Sequence, residues 1–472
     1  MSRVTPTLDP VVIAKAAEGR WTRLPDRPIT GAINDSRTLN EGDLFVALDG
    51  ARDGHDFVAA AFARGASAAL VRDAWSPAPG CDWPLLKVRD PKAALQAIAA
   101  DHRRRFRFPV AGVTGSVGKT TVKEMLAAIL ETEGPTVRTI VNWNNDIGLP
   151  LSLLQGNPAS HRFGVFEIGT NHPGEIRPLA ELMKPDLALI TVIGPVHLEH
   201  FGTLEAIARE KGALLEVLSE KGIAVLNRDT PCFDLLRARV PGRLITVALE
   251  SKAADYRVTA IARPSPSELR IRLATPEGER EAWVPRPGRH QALNAALALA
   301  AAAELGVPWD RAVEGLRHGL PELPMRWQQT VVQGVGIIND AYNANTISLS
   351  GALKTFAAHP CAGRKWLVLG EMKELGDWTL TFHSEMGERL ASGPWAGIIL
   401  VRSAATEAMA EGARGKGYPT DRLWLVSDVE EAARTVQQML RPGDWVLIKA
   451  SRSVALERVA QRLGCTGGIS EA

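Results

Sequence analysis

The chain is poor in cysteine. Cys81, Cys232, Cys361 and Cys465 are the only four in 472 residues, and they lie far apart. That spacing excludes a CxxC redox pair and the paired thiolates of a structural zinc site, and it fits a reducing cytoplasm as the expected location. A surplus of one charge is missing as well, with 55 Lys plus Arg against 53 Asp plus Glu. No global field therefore draws the chain to nucleic acid or to an anionic membrane surface, and partners must be recognised by local groups. No run of about 18 apolar residues occurs, and the opening Met1-Ser-Arg-Val-Thr-Pro lacks the apolar core of a signal peptide. Membrane insertion and secretion are accordingly not expected. Solenoid repeats and low-complexity tracts are absent too.

What is present is ordinary globular composition, 45% hydrophobic and 23% charged, in a chain long enough for roughly three cores. The expected class is α/β in three domains. Residues 1–107 carry short apolar strands at 43–48 and 68–71 around an Ala-rich helix at 57–63, and read as a small α/β domain. The cationic stretch Asp101-His-Arg-Arg-Arg-Phe-Arg-Phe-Pro109 reads as the solvated end of a helix and marks the first boundary. Residues 108–324 alternate apolar runs at 110–113, 163–168, 187–192 and 223–226 with helical stretches, the pattern of a mainly parallel sheet covered on both faces. Alternating residues over 256–284 predict an antiparallel edge, followed by an Ala-rich helix at about 291–305. Residues 325–472 restart the alternation with strands at 336–339, 366–369, 397–401, 423–426 and 445–448, predicting a Rossmann-like, doubly wound domain.

The central domain opens with Val110-Ala-Gly-Val-Thr-Gly-Ser-Val-Gly-Lys-Thr-Thr121. An apolar strand runs through glycines into a helix whose apolar positions 122, 125, 126, 129 and 130 follow helical spacing, which is the context a phosphate loop requires. Backbone N–H groups of Gly115, Ser116, Val117, Gly118, Lys119, Thr120 and Thr121 can converge on ATP phosphates, Lys119 can reach the β/γ-phosphates, and the Thr120 hydroxyl can ligate Mg²⁺. The strict GxxxxGK[ST] pattern needs glycine at position 113, where this chain has Val113. Glu167 ends an apolar strand, where ligands collect in open α/β sheets, and its carboxylate suits Mg²⁺; a capping carboxylate is the plainer reading. Lys211 falls on the apolar stripe of Leu204, Ile207, Ala208, Leu214, Leu215 and Leu218, and so points inward. It either becomes a neutral, reactive amine there, or snorkels to solvent, or pairs with a carboxylate.

The Thr114-Gly-Ser-Val-Gly-Lys-Thr120 loop, Asn142-Trp-Asn-Asn-Asp-Ile-Gly-Leu-Pro150, Phe166-Glu-Ile-Gly-Thr-Asn-His-Pro-Gly-Glu-Ile176 and Gly194-Pro-Val-His-Leu-Glu-His-Phe-Gly202 stand in an order that resembles the Mur ligase family over nearly the whole chain. The resemblance implies amide ligation driven by ATP, with two Mg²⁺ ions held by Thr120, Glu167 and His197, and a carbamylated Lys211. Asn294 in Gly288-Arg-His-Gln-Ala-Leu-Asn294 is implied to contact the adenine, with Gln291 where asparagine is common. Arg326 is implied to reach the γ-phosphate from the hinge, and Asp340 to hold the ribose.

Tyr342-Asn-Ala-Asn345, Gly370-Glu-Met-Lys-Glu-Leu-Gly376 and Lys449-Ala-Ser-Arg-Ser-Val-Ala455 resemble the branch that adds D-alanyl-D-alanine to a UDP-N-acetylmuramoyl-tripeptide. Thr346 and Ile347 stand where that branch often has proline and an acidic residue. Asn145, Tyr342, Asn343, Asn345, Ser451 and Arg452 are the implied substrate residues. Asn34-Asp-Ser-Arg37 resembles the segment that binds the UDP-sugar, through Ser36 and Arg37. The expected partners are thus small molecules, and the expected state is a monomer. Two alternatives stay open at this level, another amide ligase of the same architecture and a nucleotide switch that hydrolyses ATP without ligation.

Overall fold

The computed structural model describes residues 5–465, which form three sheets in chain order. The N-terminal sheet has five strands in the order Arg20–Trp21, Leu85–Val88, Ala68–Arg72, Leu44–Val46, Ala32–Ile33, with only the first pair antiparallel. The central sheet has nine, in the order Gly278–Val284, Glu268–Thr275, Tyr256–Ser265, Arg243–Ala248, Ile223–Asn227, Leu187–Ile190, Val110–Thr114, Phe163–Glu167, Thr136–Arg138. Side chains along Val110–Thr114, Phe163–Glu167 and Leu187–Ile190 are buried throughout, because helices cover both faces. On Glu268–Thr275 burial alternates, since that antiparallel extension keeps one face wet.

Alternate residues of the central strands feed two cores. Ala111, Val113, Val165, Leu187 and Leu189 pack with the helices Lys119–Leu130 and Arg289–Glu304. Val110, Phe166, Ala188 and Ile190 pack with Ile176–Met183 and Leu204–Glu216, and that second core runs on into Leu8, Ile13, Leu95 and Ile98 of the N-terminal domain. The helix Pro91–Arg103 is therefore a shared wall between the two domains. This corrects the reading of residues 101–109 as a solvated helix end. Arg104 and Arg105 are exposed and pair with Asp101, but Arg103 is buried and donates to the carbonyls of Met183 and Lys184, both at 2.7 Å. His102 is buried too, with Nε2 2.6 Å from the Gly156 carbonyl.

The C-terminal sheet has six strands in the order Gln328–Val332, Val335–Asn339, Trp445–Lys449, Lys365–Leu369, Trp395–Val401, Leu423–Val426. All pair in parallel except the first, an antiparallel edge strand that the sequence pattern did not predict. Helices Thr346–Ala357, Thr379–Ala391 and Ala404–Gly415 cover one face; Val429–Met439 and Glu457–Arg462 cover the other. The expected doubly wound layering is what the chain adopts. Among the described residues no helix is long and apolar enough to cross a membrane.

His359 follows the helix Thr346–Ala357 and is 2% exposed, against the Trp445 ring at 4.3 Å. Among the described residues neither ring nitrogen has a hydrogen-bond partner. Burial, reinforced by the nearby Arg263 charge, pushes its pKa down to about 4. The folded state thus resists a proton that the unfolded chain accepts below about 6.5, so stability is full above that pH and is lost as pH falls toward 4. A displacement of this size is worth roughly 3 kcal/mol. Thermal unfolding followed from pH 7 to pH 5 should show a falling Tm, and a His359→Leu variant should show a shallower fall.

Candidate active site

A cleft of about 1650 Å³ opens between the central and C-terminal domains. The phosphate loop forms its floor. Gly115 has φ +146°, and a side chain there would collide with the Thr191 hydroxyl, so the turn takes glycine for both reasons. Val113 is still inside the strand and fully buried, and the turn begins only at Gly115. That is why glycine is not needed at 113. Thr191 Oγ1 donates to the Val117 carbonyl at 2.6 Å, Ser116 Oγ donates to the Gly194 carbonyl at 3.0 Å, and the Gly194 N–H donates back to Ser116 Oγ at 2.9 Å. Lys119 Nζ donates to the Gly115 carbonyl at 2.9 Å. Burial lowers the Lys119 pKa, with the Glu167 charge opposing and the Arg326 charge adding to the effect.

Glu167 sits at the cleft end of its strand and is 1% exposed. Its Oε1 accepts from Asn144 Nδ2 at 2.7 Å, and its N–H donates to Thr139 Oγ1 at 2.8 Å. Its Oε2 is buried with no donor from the protein. A buried carboxylate oxygen in that state is costly unless a cation meets it, so the donor set of Glu167 and the Thr120 hydroxyl fits a hard divalent ion. Asn144 and Thr139 belong to a segment held by Lys123. That lysine is fully buried on the phosphate-loop helix, donates to the carbonyls of Thr139 at 2.8 Å and Val141 at 3.3 Å, and pairs with Glu124.

His197 adopts φ +52° and lines the cleft, with Nδ1 2.6 Å from Glu374 Oε2 of the C-terminal domain. The contact holds the Glu374 carboxyl below its ordinary range. Lys211 is 1% exposed beneath the cleft lining and forms no ion pair among the described residues. Burial pushes its pKa well below the ordinary lysine value; Lys119 adds to this and Glu210 opposes it. Of the alternatives open from sequence, escape to solvent and carboxylate pairing do not occur.

The opposite wall comes from the C-terminal domain. Asp340 Oδ2 pairs with the buried Lys449 at 2.7 Å, and Oδ1 accepts from the Trp327 N–H at 3.0 Å. Lys449 also donates to the Asn343 carbonyl at 2.8 Å. The Arg326 guanidinium stacks 3.8 Å over the Tyr342 ring. From the central domain, Arg286 donates to the carbonyls of Pro321 at 2.9 Å and Arg326 at 3.2 Å, which fixes the linker between the domains. Gln291, where asparagine is common, accepts from Asn294 at 3.1 Å and so braces it.

Ser116, Val117, Gly118, Lys119, Thr120, Thr121, Asn145, Glu167, His197, Asn294, Arg326, Asp340, Tyr342, Asn343 and Asn345 all line this one cleft. Gly115 supports it from below. Ser36 and Arg37 lie outside the lining, in the N-terminal domain, with Arg37 paired to Asp35. Ser451 and Arg452 also lie outside it. Ser451 Oγ donates to the Ala344 carbonyl at 3.3 Å, behind the Tyr342–Asn345 segment, and Arg452 pairs with Glu457. Sequence reasoning missed Lys123, Asn144, Thr191, Arg286, Glu374 and the role of Lys449. Only Lys449 carried a usable signal, a charge at the C-terminal end of an apolar parallel strand.

Three family models cover the chain in order: "Mur ligase family, catalytic domain" matches residues 28–103, "Mur ligase middle domain" residues 113–302, and "Mur ligase, glutamate ligase domain" residues 325–452. The UDP-N-acetylmuramoyl-tripeptide–D-alanyl-D-alanine ligase of Bacillus subtilis is 35% identical over 92% of this chain and 93% of its own length. A crystal structure of MurF from Acinetobacter baumannii superposes with a TM-score of 0.84 at 29% identity, covering 97% of this chain and 99% of that one. MurF of Thermotoga maritima, solved in complex with ADP, gives 0.76 at 30% identity over 92% and 97%. With a phosphate loop, an unsatisfied carboxylate and a hinge arginine converging on one interdomain cleft, and with these matches running from end to end, the chain belongs to the Mur ligase family.

Proposed function

We infer that this chain is an ATP-dependent ligase that joins D-alanyl-D-alanine to the terminal carboxylate of UDP-N-acetylmuramoyl-tripeptide, in the synthesis of peptidoglycan precursors. The observation that carries this reading is the placement of Tyr342, Asn343 and Asn345 on the cleft wall opposite the phosphate loop, in a chain that matches the UDP-N-acetylmuramoyl-tripeptide–D-alanyl-D-alanine ligase of Bacillus subtilis over 92% of its length. The tripeptide carboxylate attacks the γ-phosphorus of ATP, the bond to the β-phosphate oxygen breaks, and ADP leaves an acyl phosphate. The amine of the dipeptide then attacks the acyl carbon, and phosphate departs as the amide closes.

Phosphoryl transfer of this kind needs positioning and charge compensation more than covalent chemistry. Lys119 and the loop N–H groups hold the β/γ-phosphates, Arg326 meets the γ-phosphate from the hinge, Asn294 reads the adenine and Asp340 the ribose. Mg²⁺, held by Thr120, Glu167 and His197 when bound, neutralises phosphate charge. Asn145, Tyr342, Asn343 and Asn345 hold the peptide substrates, with Ser451 and Arg452 behind them, and Ser36 and Arg37 bind the UDP-sugar. Residues 1–107, 108–324 and 325–472 accordingly serve the UDP-sugar, ATP and the dipeptide. The cleft is complete within one chain, which supports a monomer, and the nucleotide substrates support a cytoplasmic location. Burial disfavours the charged ammonium of Lys211; from its free-amine form the side chain can add CO₂ with loss of one proton, giving a carbamate that carries a negative charge.

Phosphate release with ATP, UDP-MurNAc-tripeptide and D-Ala-D-Ala should require all three, and turnover that ignores the dipeptide would sink the assignment. Lys119→Ala should lower kcat by at least about 10²-fold, in line with loss of a main electrostatic contact to the transferred group, while far-ultraviolet circular dichroism stays unchanged. Lys211→Ala should be nearly inactive, and the unaltered enzyme depleted of bicarbonate should regain turnover when bicarbonate is restored. Activity indifferent to both treatments would remove the carbamate.

A further inference from the structure

One short segment of the central domain, residues 194–199, meets the C-terminal domain at three points. The Gly194 Cα lies so close to the Ile347 side chain that any Cβ at 194 would occupy its Cδ1 position. The Glu199 N–H donates to the Glu374 carbonyl at 3.3 Å. The Glu374 carboxylate lies 2.6 Å from His197 Nδ1. His197 and Glu374 both have left-handed backbones, φ +52° and +66°. For residues other than glycine that conformation costs on the order of 1 kcal/mol or more, and it persists where surrounding contacts enforce it. The His197 carbonyl accepts from the N–H groups of His200 and Phe201 in its own short helix, and the contacts between the domains fall on the same residues. The same segment is bonded through Gly194 to Ser116 of the phosphate loop.

We propose that Glu374 is a positioning residue that couples docking of the C-terminal domain to the orientation of the His197 ring. A carboxylate 2.6 Å from Nδ1 holds that edge of the imidazole by charge and close contact, and so restricts the orientation of the ring. His197 is mostly buried, and its carboxylate partner comes from the other domain, so the ring is oriented only when the C-terminal domain is docked. The 370–376 segment thereby reports its own arrival to the metal-binding side of the cleft. Backbone pairing at Glu199 and the fit of Ile347 on Gly194 hold the register of that arrival. The role given to His197 rests on the ligase reading; the contact between the domains does not.

The test uses the full-length protein with Glu374→Ala, Glu374→Gln and, as a control on the neighbouring exposed carboxylate, Asp377→Asn. Small-angle X-ray scattering with and without a non-hydrolysable ATP analogue reads domain docking, equilibrium titration reads nucleotide affinity, and steady-state kinetics separates kcat from KM. Glu374→Ala should give a larger radius of gyration in the presence of nucleotide, a weaker nucleotide affinity, because Arg326 and Asp340 arrive with the same domain, and a kcat lower by about 10–100-fold, the usual cost of losing the group that orients a ligating histidine. Glu374→Gln keeps an acceptor oxygen and should fall between Ala and the unaltered protein, and Asp377→Asn should match the unaltered protein throughout. Full kcat in Glu374→Ala would overturn the proposal. So would a loss of kcat with an unchanged scattering curve, or a Gln variant as impaired as Ala. Scattering and nucleotide binding need no dipeptide, so a wrong substrate assignment would not be mistaken for a failed clasp.

Discussion

The reciprocal hydrogen bonds between the Ser116 hydroxyl and the backbone of Gly194, 3.0 and 2.9 Å long, join the phosphate loop to the segment that touches the C-terminal domain. A hydroxyl that donates to a carbonyl and accepts from the N–H of the same residue allows little displacement of either chain. The glycine-rich turn that holds Ser116 and the loop that carries His197 are therefore tied directly to one another. Ser116 is buried, so these bonds operate without competition from water and the alternative of leaving both groups unpaired is expensive. Thr191, just past the strand Leu187–Ile190, adds a third tie at the Val117 carbonyl. Nucleotide binding on one side and domain docking on the other thus act on the same few peptide units.

Around this centre, loop conformation is set by buried cations that donate to backbone carbonyls. Lys123 holds the segment of Thr139 and Val141, Arg286 holds the linker at Pro321 and Arg326, and Lys449 holds the segment of Asp340 and Asn343. Each charge is taken out of water and repaid by oxygen acceptors. Deleting the acceptors would leave a buried unpaired charge, at a cost of about 3–5 kcal/mol. Such groups contribute more to uniqueness of geometry than to net stability. A site that must align a carboxylate, a phosphorus and an amine in sequence needs that uniqueness. Lys211 differs, since it is buried without an ion pair among the described residues, and burial together with the Lys119 charge lowers its pKa against the opposing Glu210 charge.

Much of this was legible before the fold was known, and the reasons are local. Val110 to Thr121 declares strand, turn and helix within twelve residues, and residues 256–284 alternate strictly enough to announce an antiparallel sheet with one wet face. The inward direction of Lys211 followed from helical spacing alone. The edge strand Gln328–Val332 was missed because Gln-Gln-Thr-Val-Val has no clear period and none of its residues is fully buried. Lys123 was missed for the opposite reason. Its helix is buried on every side, so a lysine off the apolar stripe is enclosed all the same. Arg103 went astray likewise: Arg104 and Arg105 after it are solvated, but a second domain packs over Arg103 and His102. Contacts such as His197 with Glu374 join residues remote in sequence from different domains, and no local pattern encodes them.

The positions at which this chain departs from its family's usual residues sit against these same contacts. Thr346 and Ile347 open the helix that faces the central domain, and Asn345 with Ser348 forms a capping box there, so the helix start needs no proline to define it. That frees position 347 to carry an apolar side chain, which then fills the space above Gly194. Gln291 is one methylene longer than asparagine, and it spends the extra reach on Asn294 rather than leaving the site. Ile347 and Gln291 are each met by an adjacent group in the cleft or across the domain seam. Compensation of that kind is expected where two surfaces must still fit in one docked arrangement while the residues composing them drift, because packed interfaces accept exchange of volume and partners more readily than loss of either.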